Sequence, residues 1–161
     1  MTHTSGTLSP VPRLPRLLAL PLGLVPTQLN SWVLAEGLNR LFAPELAEGA
    51  LDFLAERVLL IRIQDAGLLY RLTLTKGRLR AAAGDTEDLS IEGTLYDFLL
   101  LATRREDPDT LFFNRRLRLG GNTELGLYTK NFLDGLELEP RLGPLLGLLR
   151  GTASLIEHLT A

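Results

Sequence analysis

The chain has 161 residues, no cysteine and a formal net charge of −2. A length of this order points to one domain that can bury a core without disulfides or a structural metal. The lack of cysteine excludes a disulfide scaffold, an iron–sulfur cluster, a cysteine zinc site and a cysteine nucleophile. Leucine supplies 41 of the residues, which excludes a disordered chain and raises the question of what so much apolar surface is for.

The first 26 residues differ from the rest of the chain, since no acidic residue occurs before Glu36. Residues 1–9 are small and polar and are predicted to be disordered. Residues 10–26 contain five prolines separated by leucines, a spacing that argues against a long helix. We predict an apolar arm of short turns. Three partners for this arm stay open: its own domain, a second subunit in a homodimer, or a membrane surface.

If the arm lies on a membrane, Arg13 and Arg16 meet anionic headgroups while the leucines insert. The leucines concerned are Leu17, Leu18, Leu20, Leu22 and Leu24. The apolar run over 17–25 is only nine residues long, whereas a membrane-spanning helix needs about 20. The prolines also argue against a secretory signal. We therefore expect a cytoplasmic protein that associates peripherally with a membrane.

After the arm, hydropathy periodicity predicts two helices and then a three-stranded meander. Apolar residues recur at helical spacing over 28–42 and 44–56, with Pro44 between the two helices. The pattern then alternates with a period of two, which predicts strands with one buried face, at 57–63, 68–75 and 78–83. The predicted buried face comprises Leu59, Ile61, Ile63, Leu68, Tyr70, Leu72, Leu74 and Leu79.

The second half of the chain is predicted to add two strands and further helices. Thr94 and Asp97 have the spacing of a capping box, and Asn122 can cap a later helix. The predicted elements are a strand at 89–93, a helix at 94–104, a helical turn through 111–113, a strand at 116–119, a helix at 123–136 and a C-terminal amphipathic helix at 145–159.

This order of elements predicts an α+β fold with a five-stranded, mainly antiparallel sheet and helices packed on one face. The predicted divisions of the chain are a disordered start with the arm at 1–26, the folded domain at 27–139, and the C-terminal helix at 140–161.

No set of side chains in the sequence points to catalysis. His3 and His158 lie near the chain ends, without a carboxylate or second histidine at ligand spacing, which argues against a metal site and a serine triad. Phosphate-loop motifs are absent from the sequence. The acidic pairs 87–88 and 106–107 fall in predicted loops, where solvated carboxylates are poorly suited to general acid and base roles. We expect a protein that is not an enzyme and uses no cofactor and no metal.

The solvent-exposed face of the predicted sheet carries several arginines, which raises the question of nucleic-acid binding. That face carries no aromatic side chains on which bases would stack, and the net charge is acidic. We therefore expect no nucleic-acid partner. The apolar space between helices and sheet has two open interpretations: an ordinary packed core, or a dry cavity suited to acyl or prenyl chains.

Three stretches of the chain resemble domains of the sterol-carrier-protein-type-two (SCP-2) superfamily. They run from Phe53 to Gly67, from Asp88 to Leu100 and from Asp107 to Gly126, and the resemblance as a whole covers about residues 28–136. The last stretch is the most specific, with paired phenylalanines, Arg-Leu, glycine, a helix cap and Thr-Glu-Leu-Gly. One departure is Arg115, which stands where the superfamily often has glycine.

Within the superfamily, the chain is similar to lipid-binding accessory factors of oxygen-independent ubiquinone biosynthesis. The arm rich in proline, arginine and leucine and the run over 127–134 carry this closer resemblance. It implies a hydrophobic tunnel that holds a polyprenyl ubiquinone precursor or a phospholipid. It also implies, as partners, the anaerobic ubiquinone hydroxylases and other ubiquinone biosynthesis proteins.

The side chains expected to line such a tunnel are Trp32, Phe53, Ile61, Tyr70, Leu72, Leu74, Phe98, Leu99, Phe112, Phe113, Tyr128, Phe132 and Leu133. Two functions from other classes stay open at this point. One is a protein-interaction scaffold with an apolar groove and no lipid ligand, and the other is an enzyme that uses an aspartate or glutamate.

Overall fold

The computed structural model of the chain describes residues 26–136 and 156–159. The predicted arm, with Arg13, Arg16 and its five leucines, lies outside these residues. So does the predicted C-terminal helix, except for residues 156–159, which are helical.

Five strands form one sheet in the order β3-β2-β1-β4-β5. The strands are β1 (Leu59–Ile63), β2 (Leu68–Thr75), β3 (Arg78–Ala81), β4 (Leu89–Gly93) and β5 (Arg118–Gly121). Neighbouring strands are antiparallel, except β1 and β4, which run parallel with Leu59 opposite Leu89. The predicted α+β fold with a mainly antiparallel sheet of five strands is therefore confirmed.

Five helices between residues 26 and 136 accompany the sheet. They are α1 (Thr27–Leu41), α2 (Ala43–Ala47), α3 (Leu95–Ala102), α4 (Pro108–Phe113) and α5 (Thr123–Asp134), with single 3-10 turns at Asp52–Leu54 and Gln64–Ala66. The predicted capping box begins α3, since the Thr94 hydroxyl accepts from the Asp97 N–H and the Asp97 carboxylate accepts from the Thr94 N–H. The predicted cap of α5 is also present: Asn122 accepts from the N–H of Leu125.

Several predicted boundaries differ from those in the structure, and two of the differences bear on the packing. The helix predicted at 44–56 stops at Ala47, and the chain then turns at Gly49, whose φ of 76° favours glycine. The strand predicted at 116–119 is shifted by two residues, since β5 begins at Arg118 and ends at Gly121. It therefore includes Gly120 and Gly121, which pair with β4. Gly121 has a φ of 85°, and a Cβ there would clash with the carbonyl oxygen of Asp88. Glycine therefore lets this edge strand approach β4 closely.

Helix α1 packs along the free edge of β3 through small and polar side chains, namely Ser31, Ala35 and Asn39. The Asn39 amide donates to the carbonyl oxygen of Leu79 and accepts from its N–H, both at 2.8 Å. This side chain thereby satisfies backbone groups of an edge strand that would otherwise be unpaired. Ser31 Oγ accepts from the N–H of Arg71 at 2.8 Å. These contacts fix which face of α1 meets the sheet edge.

The predicted buried face of β1, β2 and β3 is confirmed for most of its members. Six of the eight are buried: Leu59, Ile63, Leu68, Leu72, Leu74 and Leu79. The other two, Ile61 and Tyr70, are half-buried because they face a cavity. A second apolar cluster joins α3 to α4 and includes Leu100, Leu111 and Ile156, so the short described segment 156–159 packs on the domain.

Candidate functional site

A cavity of about 320 Å³ lies between the inner face of the sheet and the helices. The sheet contributes Leu59, Ile61, Ile63, Tyr70, Leu72, Leu79 and Ile91. The helices and their connections contribute Leu34, Leu38, Leu41, Phe42, Leu51, Phe53, Leu54, Phe98, Leu101, Ala102, Arg104, Thr129, Phe132, Leu133 and Leu136. The volume falls within the lower part of the range of small-molecule sites, about 300 to 1,000 Å³.

The lining of the cavity is almost wholly aliphatic and aromatic. Among the described residues, only Tyr70, Arg104 and Thr129 bring polar side chains to it. The Thr129 hydroxyl donates to the carbonyl oxygen of Leu125 at 2.8 Å. An apolar cavity of this kind excludes water and accepts apolar molecules. The arrangement is therefore suited to holding a hydrocarbon chain.

The position of α1 explains why this space is a cavity and not a packed core. Ser31, Ala35 and Asn39 hold the helix against the sheet edge. Leu34, Leu38 and Leu41 then line the cavity and stay half-buried. Periodicity alone marks these leucines as an apolar stripe, but it does not indicate whether the stripe faces other side chains or an open space.

Tyr70 is the polar side chain that the sheet contributes to the cavity lining. No hydrogen bond joins its hydroxyl to another residue in the described part of the chain, and desolvation by burial raises the pKa of its phenol above 10.0. The phenol therefore stays neutral at physiological pH and can donate one hydrogen bond to a polar atom of a ligand.

Arg104 is one of the lining residues of the cavity, and its side chain joins the end of α3 to the end of α5. Its backbone has a φ of 53°, a region that usually favours glycine. Its guanidinium donates to the carbonyl oxygens of Leu133 at 2.7 Å and Asp134 at 3.4 Å, and also to that of Leu136. A cation is favourable there because the Leu133 and Asp134 carbonyls belong to the last turn of α5, at the negative end of the helix dipole.

Seven of the thirteen predicted tunnel residues line the cavity: Phe53, Ile61, Tyr70, Leu72, Phe98, Phe132 and Leu133. Among the other six, Leu74 is buried in the main core cluster, while Leu99 and Phe112 belong to the cluster between α3 and α4. Helix α3 has apolar neighbours on two sides, so its stripe divides between the cavity and that second cluster.

The remaining three predicted tunnel residues do not face the cavity. Trp32 is 57% exposed on the outer side of α1, and Phe113, at 87% exposure, lies at the end of α4. Tyr128 is exposed on α5, where its ring lies 5.8 Å from that of Phe53. These aromatic residues were expected to line the tunnel, but the helical register at their positions directs them outward.

Among the lining residues that sequence reasoning missed are the leucines of α1 and Arg104. The leucines had a signal, since they recur at helical spacing. Arg104 had none, because its place at the cavity end depends on a left-handed backbone and on the end of α5, 29 residues further along.

Among the described residues, one group of three carboxylates lies close enough together to be considered as a metal site. Its members are Asp107, Asp109 and Asp134, and all three are exposed. Asp107 caps α4, and hydrogen bonds from the side chain and backbone of Thr110 lower the pKa of its carboxyl, with a smaller effect from the charge of Arg104. Lys130 lies 3.9 Å from Asp109. Capping therefore accounts for Asp107, and ion pairing accounts for Asp109.

None of the helices in the described ranges, 26–136 and 156–159, is both long enough and apolar enough to cross a membrane.

The model of the SCP-2 sterol transfer family matches residues 36–134. Over 143 residues, the chain is 39% identical to the ubiquinone biosynthesis accessory factor UbiT of Escherichia coli K12, a match covering 89% of this chain and 82% of that protein. UbiT of Escherichia coli O157:H7 matches to the same extent. Among solved structures, UbiJ-SCP2, a ubiquinone synthesis protein, has a TM-score of 0.50 at 14% identity, covering 63% of this chain and 94% of that chain. At that identity the likeness concerns the fold alone.

Proposed function

Because the chain belongs to the SCP-2 sterol transfer family, we propose that it is a non-catalytic accessory factor of ubiquinone biosynthesis that holds a lipid in its cavity. The family resemblance seen in the sequence is thereby confirmed. The assignment to ubiquinone biosynthesis rests on the similarity to UbiT, which is 39% identical over most of both chains. The assignment of a lipid ligand rests on the apolar lining of the cavity.

The observation that carries this proposal is an apolar cavity in which three of the described lining residues have polar side chains and the rest are apolar. Such a lining stabilises a hydrocarbon chain by removing it from water, at about 25 cal/mol for each Å² buried. It offers little to a polar metabolite, whose desolvated groups would stay unpaired. Acyl and prenyl chains are the ligands that this chemistry fits.

We expect the cargo to be a polyprenyl ubiquinone precursor or a phospholipid, held by its tail. Shielding the tail would leave the ring or headgroup near an opening, where the oxygen-independent hydroxylases and other ubiquinone biosynthesis proteins reach it. The protein would contribute binding and presentation, and its partners the chemistry. We expect the lipid tail to contact the seven predicted residues that line the cavity and the leucines of α1.

Membrane association is the second part of the proposal. The predicted arm directly precedes α1, and the outer face of α1 carries Leu29, Trp32 and Val33, each more than half exposed. Tryptophan and leucine on one helix face are typical of surfaces that enter the headgroup region of a bilayer. Arg13 and Arg16 would add attraction to anionic lipids. A homodimer that covers the same surface stays a prediction.

Native mass spectrometry of the purified protein tests the lipid proposal. The expected spectrum contains a species heavier than the polypeptide by the mass of one lipid, and organic extraction should identify that lipid as a prenylated aromatic compound or a phospholipid. A polypeptide that is consistently empty, and that stays empty after incubation with such lipids, would contradict the proposal and favour a protein-interaction scaffold.

A further inference from the structure

The cavity has one charged group in its described lining, and that group is Arg104. A lone cation beside an aliphatic surface is costly unless something compensates its charge. Here the compensation comes from the backbone carbonyls of Leu133, Asp134 and Leu136 at the end of α5. The guanidinium is thus fixed at the rim by neutral acceptors.

Arg104 differs in this respect from the arginine that follows it. Arg105 lies 3.5 Å from the carboxylate of Glu157, whereas no carboxylate in the described part of the chain lies within 4 Å of the Arg104 guanidinium. Its three carbonyl contacts all come from Nη2. Nε and Nη1 make no hydrogen bond to the described residues, so these donors remain for a ligand.

From this arrangement, we propose that Arg104 recognises the head of the bound lipid, and that this head carries a phosphate or carboxylate group. The chain of the ligand would lie along the leucines, and its anionic oxygens would reach the guanidinium at the rim. Guanidinium binds both anions through paired N–H donors and keeps its charge at all relevant pH values. The carbonyls of α5 hold it in place before the ligand arrives, which lowers the entropic cost of binding.

This inference rests on the proposed function, because it requires a lipid in the cavity. The test therefore compares two ligands with the same chain and different heads, oleate and oleyl alcohol. Displacement of a neutral pyrene-labelled alcohol would measure both affinities in the wild-type protein, Arg104→Gln, Arg104→Lys and Arg105→Gln. Arg105→Gln is the matched control, since it removes a neighbouring guanidinium that does not line the cavity.

We expect the wild-type protein to prefer oleate by about tenfold or more, the scale of a hydrogen bond to a charged group. Arg104→Gln should abolish that preference by bringing the affinity for oleate down to that for oleyl alcohol, and circular dichroism would show that the variant is folded. Arg104→Lys should retain part of the preference, and Arg105→Gln all of it. Inorganic phosphate at equal concentration should not displace the probe.

Two results would overturn the inference while leaving the proposed function intact: equal affinity of the wild-type protein for both ligands, or a preference for oleate that persists in Arg104→Gln. Displacement by inorganic phosphate alone would also overturn it, because the anion site would then act without the cavity. If neither oleate nor oleyl alcohol binds the wild-type protein, the proposed function itself fails.

Discussion

The guanidinium of Arg116 lies 2.7 Å from the carboxylate of Asp97, a side chain that is almost fully buried. The same guanidinium lies over the ring of Tyr96, 5.3 Å from its centroid. Asp97 also accepts from the hydroxyl of Thr94 at 2.8 Å. One carboxylate thus caps α3 and ties its first turn to the segment before β5. This matters for the site because α3 supplies Phe98 and Leu101 to the cavity wall.

Replacing Arg116 with glutamine should strongly destabilise the fold. The change leaves the buried carboxylate of Asp97 without its cation, a loss on the order of 3 kcal/mol in the free energy of unfolding. Urea unfolding followed by circular dichroism would measure it. The control is Arg118→Gln, at an exposed position of β5, where a change within about 0.5 kcal/mol is expected. Equal effects of the two substitutions would show that the pair with Asp97 contributes nothing specific.

Asn39→Ala should leave the edge of β3 without the hydrogen bonds that α1 makes to it. The substitution removes both hydrogen bonds to Leu79 and leaves its buried N–H and carbonyl groups unpaired, at a cost of about 2 to 4 kcal/mol. Hydrogen exchange would report it most directly, as faster exchange of the Leu79 amide. Arg40→Ala, at the exposed neighbouring position, should change neither stability nor that rate. Undiminished protection of Leu79 in Asn39→Ala would contradict the edge-capping role.

The stability of the protein should fall at alkaline pH, in part because of Tyr70. Burial raises the pKa of its phenol in the folded state, while the unfolded state keeps the usual value of 10.0. The neutral phenol therefore favours folding fully below pH 10, and this contribution is lost as the pH rises through the higher folded-state pKa. Tyr70→Phe should lose less unfolding free energy between pH 9 and pH 11 than the wild type does. Identical losses would show that Tyr70 titrates alike in both states.

Trp32 is the single tryptophan of the chain, so its fluorescence reports directly on the outer face of α1. Docking of that face should shift the emission to shorter wavelength when vesicles containing phosphatidylglycerol are added. The shift should be much weaker with phosphatidylcholine vesicles, and also after Arg13→Glu with Arg16→Glu, because the predicted attraction is electrostatic. If the protein pellets with anionic vesicles while the emission stays unchanged, α1 is not part of the membrane contact.

Much of the fold could be predicted from local patterns. The alternation around Leu72 gave the inner face of the sheet, and the spacing of Thr94 and Asp97 gave the start of α3, since both depend only on neighbours in the chain. The order of strands follows less directly, because the parallel pairing of β1 with β4 is a long-range contact. The predicted strand ended at residue 119, before the glycines at 120 and 121, yet their close packing on β4 makes them part of it.

The apolar nature of the candidate site could be predicted from the sequence, but the residues that line it could be predicted only in part. The sequence motifs led to the family, and the family to an apolar cavity. Phe113 and Trp32 were expected to line the tunnel, but both are exposed, because exposure depends on the orientation of each helix. Arg104 and Arg115 both have positive φ, at 53° and 56°, and no local pattern indicated it. For Arg115 the structure explains why glycine is favoured there, since glycine adopts this conformation without strain.

The most direct test of the account is whether filling the cavity removes the lipid. Leu133→Trp places a larger side chain in the cavity wall, while Leu127→Trp makes the same change on the same helix at a position that is 55% exposed. Native mass spectrometry would measure the lipid-bound fraction of each variant and of the wild type. We predict that Leu133→Trp lowers the bound fraction several-fold and that Leu127→Trp leaves it at the wild-type level. A bound fraction that is the same in all three proteins would show that the lipid lies elsewhere and would contradict the account.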